Sequence, residues 1–336
     1  MSVLLVHLLQ PENIETLFDS TEANDTDESN SRMAEPEVTG VQANATSPPS
    51  TATSIVSVKD LGLHGPPPLS FLHERSGRVH CNLFNSRKPF EIPSVSNTPI
   101  KASIVLSLQT NSGNNKTSVP FLFAKQGPLI SNVKYTIHDV ANPSITIGYV
   151  VKLHSCMSTI VYGVYRRPEN TADAIISYKV PVLDTLSMNH PPRFVRVALP
   201  LATKEATAEH SKAMSVAFEK TCKESIRRTS SLTQAKGLRL MESAPAYRKV
   251  DGTFSLNFRG RGKLTSKKNV RVGDAKALEN FKGQLGELLR GSASPKVDFQ
   301  MAKWEDNRDG KTYNVDFAAP FSPFQAFGLA LANMHL

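Results

Sequence analysis

Residues 313–336 read YNVDFAAPFSPFQAFGLALANMHL, and this stretch decides the fold. A strand pattern ending at Phe317 runs into Pro320, then into a helix. Ser322 is suited to the N-cap, and Pro323 to the first helical position, where a missing N–H costs nothing. From Phe324 onward the apolar side chains Ala326, Phe327, Leu329, Ala330, Leu331, Ala332, Met334 and Leu336 cover the whole cylinder instead of one stripe. A helix that is apolar all round must be buried by protein or by lipid. At about 14 residues it is roughly 21 Å long, short of the ~20 residues that a bilayer span requires. Enclosure by protein is therefore expected. Most of the preceding chain reads as strands, so the simplest enclosure is a closed antiparallel β-barrel around the helix.

The charge is unevenly spread. Of the 336 residues, the first 60 carry ten Asp and Glu against Arg32 and Lys59, a net of −8, which leaves +17 on the remainder. A basic body fits an anionic partner: phosphoinositide head groups, a membrane surface or nucleic acid. The three cysteines, Cys81, Cys156 and Cys222, are odd in number and widely spaced. They form neither a disulfide framework nor a zinc pattern, which points to a reducing, intracellular compartment. The N-terminal run VLLVHLL is too short for a membrane span and lacks the basic flank of a signal peptide.

Residues 1–64 are rich in Ser, Thr, Asn, Pro and Glu and poor in large apolar side chains, and read as a disordered acidic arm. The folded domain is expected over 65–336. From about 69 to 200, short β-rich runs recur at the spacing of a barrel or sandwich: VHCNLF (79–84), ASIVLSL (102–108), VPFLFA (119–124), VKYTIHDV (133–140), SITIGYVVKL (144–153), TIVYGVY (159–165), AIISYKV (174–180) and FVRVALP (194–200). Over 203–229, Ala213, Met214, Ala217, Phe218, Cys222 and Ile226 recur three or four apart, predicting an amphipathic helix over the barrel. Strands then resume with LRLM, FSLNF, KKNVRV, KVDFQMA and TYNVDF. An insert near 273–295 reads as a loop with a short helix, weakened by Gly283 and Gly286.

Three later stretches together resemble the tubby domain of the tubby and tubby-like proteins. LMESAPAYRKVDGTFSLNFRGR (240–261) is similar to the family's Pro-x-Trp, with Tyr247 in place of Trp, followed by a strand ending Leu-Asn-Phe-x-Gly-Arg. SKKNVRV (266–272) is similar to its Ser-x-Lys-Asn and following apolar strand. The tail, with Asp316, Phe317, Pro320, Gln325, Ala326 and Phe327, resembles the family's Asp-Tyr-x-x-Pro and the Gln-Ala-Phe that opens its last helix. The resemblance implies a barrel of about twelve strands around a central hydrophobic helix. Asn257, Gly260, Arg261, Asn269, Asp316, Pro320, Gln325 and Phe327 would then be structural motif residues. It further implies a non-enzymatic, phosphoinositide-binding adaptor, peripheral at the plasma or ciliary membrane, with a membrane-protein or trafficking cargo. The family carries Gly-Lys-Leu-Arg-Ser-Asn on its lipid-binding strand. Here residues 127–132 read Gly-Pro-Leu-Ile-Ser-Asn, without either cation.

Phosphate recognition needs cations that converge. The candidates are Lys125 and Lys134 beside the lost pair, Arg166 and Arg167 at the end of a strand, and Lys268 from a second cluster with Lys267. Read as strand, Lys267 and Lys268 fall on opposite faces. The nine His show no metal-ligand spacing and no hydrolase or nucleotide motif occurs, so neither an enzyme nor a cofactor or metal is expected. Two alternatives stand: a protein-interaction adaptor without lipid binding, and a basic nucleic-acid binder, cytoplasmic or nuclear. The second lacks aromatic residues patterned to stack bases. A monomer is expected.

Overall fold

A computed structural model describes residues 78–92, 99–112, 115–156, 159–167, 171–179, 193–200, 215–216, 218–219, 238–248, 254–282 and 295–336. The arm predicted over 1–64 and the chain leading from it to residue 77 lie outside the described residues.

Period-two alternation over the predicted runs produces a ring of strands. These are β1 (Val79–Ile92), β2 (Ile100–Ser112), β3 (Asn115–Gln126), β4 (Val133–Asp139), β5 (Thr146–Ser155), β6 (Thr159–Arg166), β7 (Thr171–Lys179), β8 (Phe194–Pro200), β9 (Leu238–Ser243), β12 (Val270–Asp274), β13 (Phe299–Asp306) and β14 (Gly310–Phe317). They form one closed barrel in the order β1-β14-β13-β12-β9-β8-β7-β6-β5-β4-β3-β2, every pair antiparallel. Closure occurs at β1, where Leu83 lies opposite both Leu106 of β2 and Tyr313 of β14. A ring leaves no unpaired edge.

Of the thirteen runs read as barrel strands, FSLNF is the one that does not join the wall. Only Phe254–Ser255 is extended (β11), and it pairs with β10 (Tyr247–Arg248) in a separate two-stranded sheet. The chain turns immediately afterwards. The Asn257 carboxamide oxygen accepts from the Arg259 N–H, and Arg259 and Gly260 take positive φ of 49° and 78°, a conformation incompatible with a continuing strand. KKNVRV is shorter than predicted in the same way. Lys267 and Lys268 lie in a turn before β12, so strand alternation does not apply to them. In the insert, residues 273 and 274 belong to β12, and helix α1 (Ala275–Lys282) follows with Leu278 buried against Ala244 and Val297. Of the predicted 203–229 helix, the described residues 215–216 and 218–219 are helical. Phe218 is buried, and Glu219 accepts from the Tyr165 hydroxyl at 2.6 Å.

The final helix, α2 (Pro323–His335), starts with a reciprocal cap. The Ser322 hydroxyl accepts from the Gln325 N–H, and the Gln325 side chain accepts from the Ser322 N–H, which satisfies two otherwise orphaned donors. Residues 324 to 333 are all buried. They form a single core with inward side chains from all twelve wall strands, among them Leu83, Leu106, Ile137, Val150, Val164, Ile176, Val197, Met241, Val272, Phe299 and Val315. The fit is tightest where the helix backbone meets the wall. A β-carbon on Gly328 would lie 2.6 Å from a Val164 methyl, and one on Gly148 would lie 2.4 Å from the Phe324 ring.

A smaller cluster lies on the outer wall. Ile92, Ile100, Ala102, Val105, Phe123 and Val140 pack together there. His138 stacks on Phe123, with centroids 4.9 Å apart. Burial, with Lys125 nearby, pushes the His138 imidazole down to about 4.

Two outcomes follow. Gly328→Ala should cost about 1–3 kcal/mol in chemical denaturation through overpacking. In a Val164→Ala background the same change should be neutral or stabilising, because the methyls in its way are gone and Ala favours helix. Independence of the two changes would refute the close approach. His138 has a folded value below its ordinary 6.5, so its stability contribution is full above pH ~6.5 and is lost as pH falls toward 4. Stability measured across that interval should fall less steeply in His138→Phe.

Candidate functional site

The ends of α2 distinguish the two mouths of the barrel, and the five predicted cations do not gather at one of them. Arg166 and Arg167 lie at the end where the helix begins. The Arg166 guanidinium sits over the Phe324 ring, 5.2 Å from its centroid, and is paired with Asp173, its Nε donating at 2.9 Å. The Arg167 N–H donates to the Ile147 carbonyl, and Arg167 has a further interaction besides. Lys268 lies at the opposite mouth, where its Nζ donates to the Met334 carbonyl at 2.9 Å. Lys134 is at that mouth too, near enough to act on His335. Its Nζ donates to the carbonyls of Leu129 and Ser131 in the β3–β4 loop. Lys125 is exposed on β3 opposite Thr136 of β4. Alternation puts Lys125 and Lys134 on the outer face, since Tyr135 and Ile137 face the core.

The β3–β4 loop between these two lysines carries the most exposed large apolar side chains of the described residues, Leu129 at 88% and Ile130 at 99%. Its shape is fixed. Ser131 N–H donates to the Pro128 carbonyl, and the Ser131 hydroxyl accepts from Val133 N–H. Gly127 N–H bonds the Lys134 carbonyl in an approach so close that a β-carbon at 127 would lie 2.2 Å from the Val133 oxygen.

Inside this mouth is an arrangement that the sequence reading missed. Inward positions on successive strands change there from aliphatic to polar: Tyr135 on β4, Lys152 on β5, Tyr162 on β6 and Tyr178 on β7, then Arg193 just before β8. Lys152 lies directly opposite the inward Tyr162, and Tyr178 opposite the inward Val195. His335 of the helix fills the centre. Its Nδ1 is 2.8 Å from the Tyr162 hydroxyl, and its ring stands edge-on to Tyr135 and Tyr162. Arg193 Nη2 donates to the Leu336 carbonyl. Together with Lys268 it meets carbonyls that an α-helix leaves unsatisfied at its C-terminal end. Burial and, after it, the crowding of like charge act together on these groups. Burial and then Arg193 and Lys311 push Lys268 down to about 8. Burial, then Lys134, Lys152 and Lys268, lower His335. Burial raises Tyr162 to about 12 and Tyr178 well above its ordinary value. The alternation itself could have flagged Lys152 and Arg193, each two residues beyond an inward apolar position.

The motif residues are engaged elsewhere. Arg261 grips Asp316 with two nitrogens, Nε to Oδ2 at 2.9 Å and Nη2 to Oδ1 at 2.5 Å, and reaches Gln109 with a third. Gln300 Nε2 and His80 complete the shell of this fully buried carboxylate. Burial alone would raise the Asp316 carboxyl, but the bonds from Arg261, Gln300 and His80 outweigh it and hold it below the usual range. Asn314 donates to the Arg261 carbonyl, and Asn269 bridges the Leu264 carbonyl and the Lys303 N–H. Gln325 also donates to the Asp173 carbonyl, Phe327 is in the core, and Pro320 follows a cis peptide in the turn before α2. Among the described residues, no group of three or more His, Cys, Asp or Glu could hold a metal. None of the described helices is long and apolar enough to cross a membrane.

Residues 101–336 match the Tub family. Over 101 residues the chain is 30% identical to Tubby-related protein 2 of Homo sapiens, an alignment covering 30% of this chain and 16% of that relative.

Arg261→Met should destabilise the protein by about 3–5 kcal/mol in denaturant melts, because it strands a buried carboxylate. Adding Asp316→Leu should recover a large part of that loss. No recovery would show that the pair acts separately.

Proposed function

The chain belongs to the Tub family, and we propose that it acts as a phosphoinositide-binding peripheral membrane adaptor. The family is one of non-enzymatic adaptors, and tubby domains generally bind phosphoinositides. The observation that carries the reading is the β3–β4 loop. It lies where the family resemblance places the lipid-binding Lys and Arg, yet offers Leu129 and Ile130 to solvent between Lys125 and Lys134.

An apolar tip flanked by cations fits an anionic bilayer better than it fits water or a polyanion in solution. Burying one such side chain is worth about 1.5–3 kcal/mol. A lysine near an anionic leaflet is worth about 1 kcal/mol. Insertion therefore contributes more than charge attraction here, and the lost cations are replaced by a different term instead of leaving none. Lys125 and Lys134 bias the choice toward highly charged head groups. Binding of this kind should depend only weakly on salt, unlike binding by exposed charges alone. The adaptor role implies a membrane-protein or trafficking cargo, with delivery to cilia the setting that the family suggests.

Cosedimentation with vesicles, with and without phosphatidylinositol bisphosphate and with duplex DNA as competitor, tests this. The full chain should pellet preferentially with phosphoinositide vesicles and remain bound in about 0.5 M salt, roughly three times physiological ionic strength. Ile130→Asp should weaken binding about tenfold or more. Lys125→Gln with Lys134→Gln should remove the phosphoinositide preference while leaving residual vesicle binding. Capture by DNA without capture by vesicles would replace this reading with nucleic-acid binding. Capture by neither would leave a protein-interaction adaptor.

A further inference from the structure

The helix-end mouth holds more cationic and donor capacity than capping α2 requires. Capping accounts for Lys268 Nζ on Met334 and for Arg193 Nη2 on Leu336. It does not account for Arg193 Nη1, for the Tyr178 hydroxyl or for Lys152. Arg193 Nη1 and the Tyr178 oxygen are both buried without a hydrogen-bond partner, and Tyr178 is 0% exposed. Leaving such a group unmet costs about 1–3 kcal/mol, so two unmet groups at one mouth require a reason. They belong to one place. Tyr178 pairs with Val195, two residues along from Arg193, and the Tyr178 ring packs edge-on to Tyr162 at 6.0 Å. Lys152 lies opposite Tyr162 on the other side. Among the described residues, no Asp or Glu side chain lies within ion-pair distance of Lys152, Arg193 or Lys268; Arg193 Nη2 meets only the terminal oxygen of Leu336, which leaves Lys152 and Lys268 without a counter-charge. Asp306, across from Lys311 on the wall, is bonded to Lys303.

We propose that this mouth is a binding site for one phosphate group, held by Arg193 Nη1, the Tyr178 hydroxyl and the ammonium groups of Lys152 and Lys268. The chemistry of the donor set selects the ligand. A phosphate has three or more acceptor oxygens and up to two negative charges, matching several converging donors around a guanidinium. A neutral ligand would leave the cations uncompensated. The site is separate from the Leu129–Ile130 loop, which lies outside the wall, and it does not depend on vesicle binding. Inorganic phosphate and the head-group phosphate of an inositol lipid share the required chemistry.

Thermal melts of the full chain in inorganic phosphate and in chloride of equal ionic strength test the proposal. Phosphate should raise the melting temperature above the chloride value, with the rise growing as the logarithm of concentration. Tyr178→Phe should fold and melt in chloride at or above the wild-type temperature, since it removes a buried hydroxyl that has no partner. Its affinity for phosphate should fall about tenfold, the scale of one hydrogen bond to a charged group. Lys152→Gln, at a side chain with no bond among the described residues, should also weaken the response. Phosphatidylinositol bisphosphate stripped of its acyl chains, which leaves the soluble head group, tells the sources apart. A larger rise than with inorganic phosphate assigns the site to the lipid head group, and an absent one assigns it to free phosphate. Equal melting in phosphate and chloride, or an undiminished phosphate response in both variants, would overturn the site. Either result leaves the Ile130 vesicle experiment to stand or fall by itself.

Discussion

Helix α2 makes two demands on its surroundings, and the rest of the molecule is organised by them. Its sides are apolar all round, so every direction perpendicular to its axis must be filled, and a closed wall does this without leaving strand edges to protect. Its last carbonyls point along the axis and lack intrahelical partners, so the wall cannot remain apolar at that end. Lys268 and Arg193 meet the second demand by turning inward from the mouth onto Met334 and Leu336. The negative end of the helix dipole favours the same placement. An aliphatic middle and a cationic end are therefore two consequences of one buried helix.

The wall also imposes a cost. Asp316 alternates outward from β14 and is fully buried beneath the segment that carries Arg261. A buried carboxylate is tolerable only when its lone pairs are met, and Arg261, Gln300 and His80 meet them. This explains why FSLNFRGR is not a thirteenth strand. A strand would carry Arg261 past Asp316, whereas the turn at Arg259 and Gly260 delivers its guanidinium to the carboxylate. The motif residues in this region fasten a loop to a barrel.

Fold-level features were legible because they are periodic. Twelve of the runs read as wall strands are wall strands, and the all-round apolarity of residues 324–336 required an enclosure before any strand pairing was known. The errors fall where the period is short. FSLNF has too few residues for alternation to outweigh the turn chemistry that follows it, and the KKNVRV strand begins three residues later than its pattern suggests, at Val270. Site residues were less legible for a different reason. Arg166 looked free because Asp173 meets it only through the β6–β7 register, in which Arg166 pairs with Thr171. Lys152 and Arg193 were passed over because a single inward cation in an apolar run resembles noise. Only the ring of strands brings them together with Tyr162, Tyr178 and His335.

Comparing the two mouths separates structural charge from charge available for binding. Where α2 begins, Arg166 is neutralised by Asp173, whose carbonyl also receives Gln325, so the charge there is spent on holding helix to wall. Where α2 ends, Lys134 is tied only to neutral carbonyls and Lys152 to nothing among the described residues. Like charges gathered at one end oppose folding by mutual repulsion; Lys268 and His335 are lowered by burial first and by the neighbouring cations second. A protein that needed only to cap its helix would do so with fewer cations. The excess shares one end of the barrel with the loop that exposes Leu129 and Ile130. Uncompensated positive charge beside an apolar tip is the combination that an anionic bilayer neutralises and buries at once.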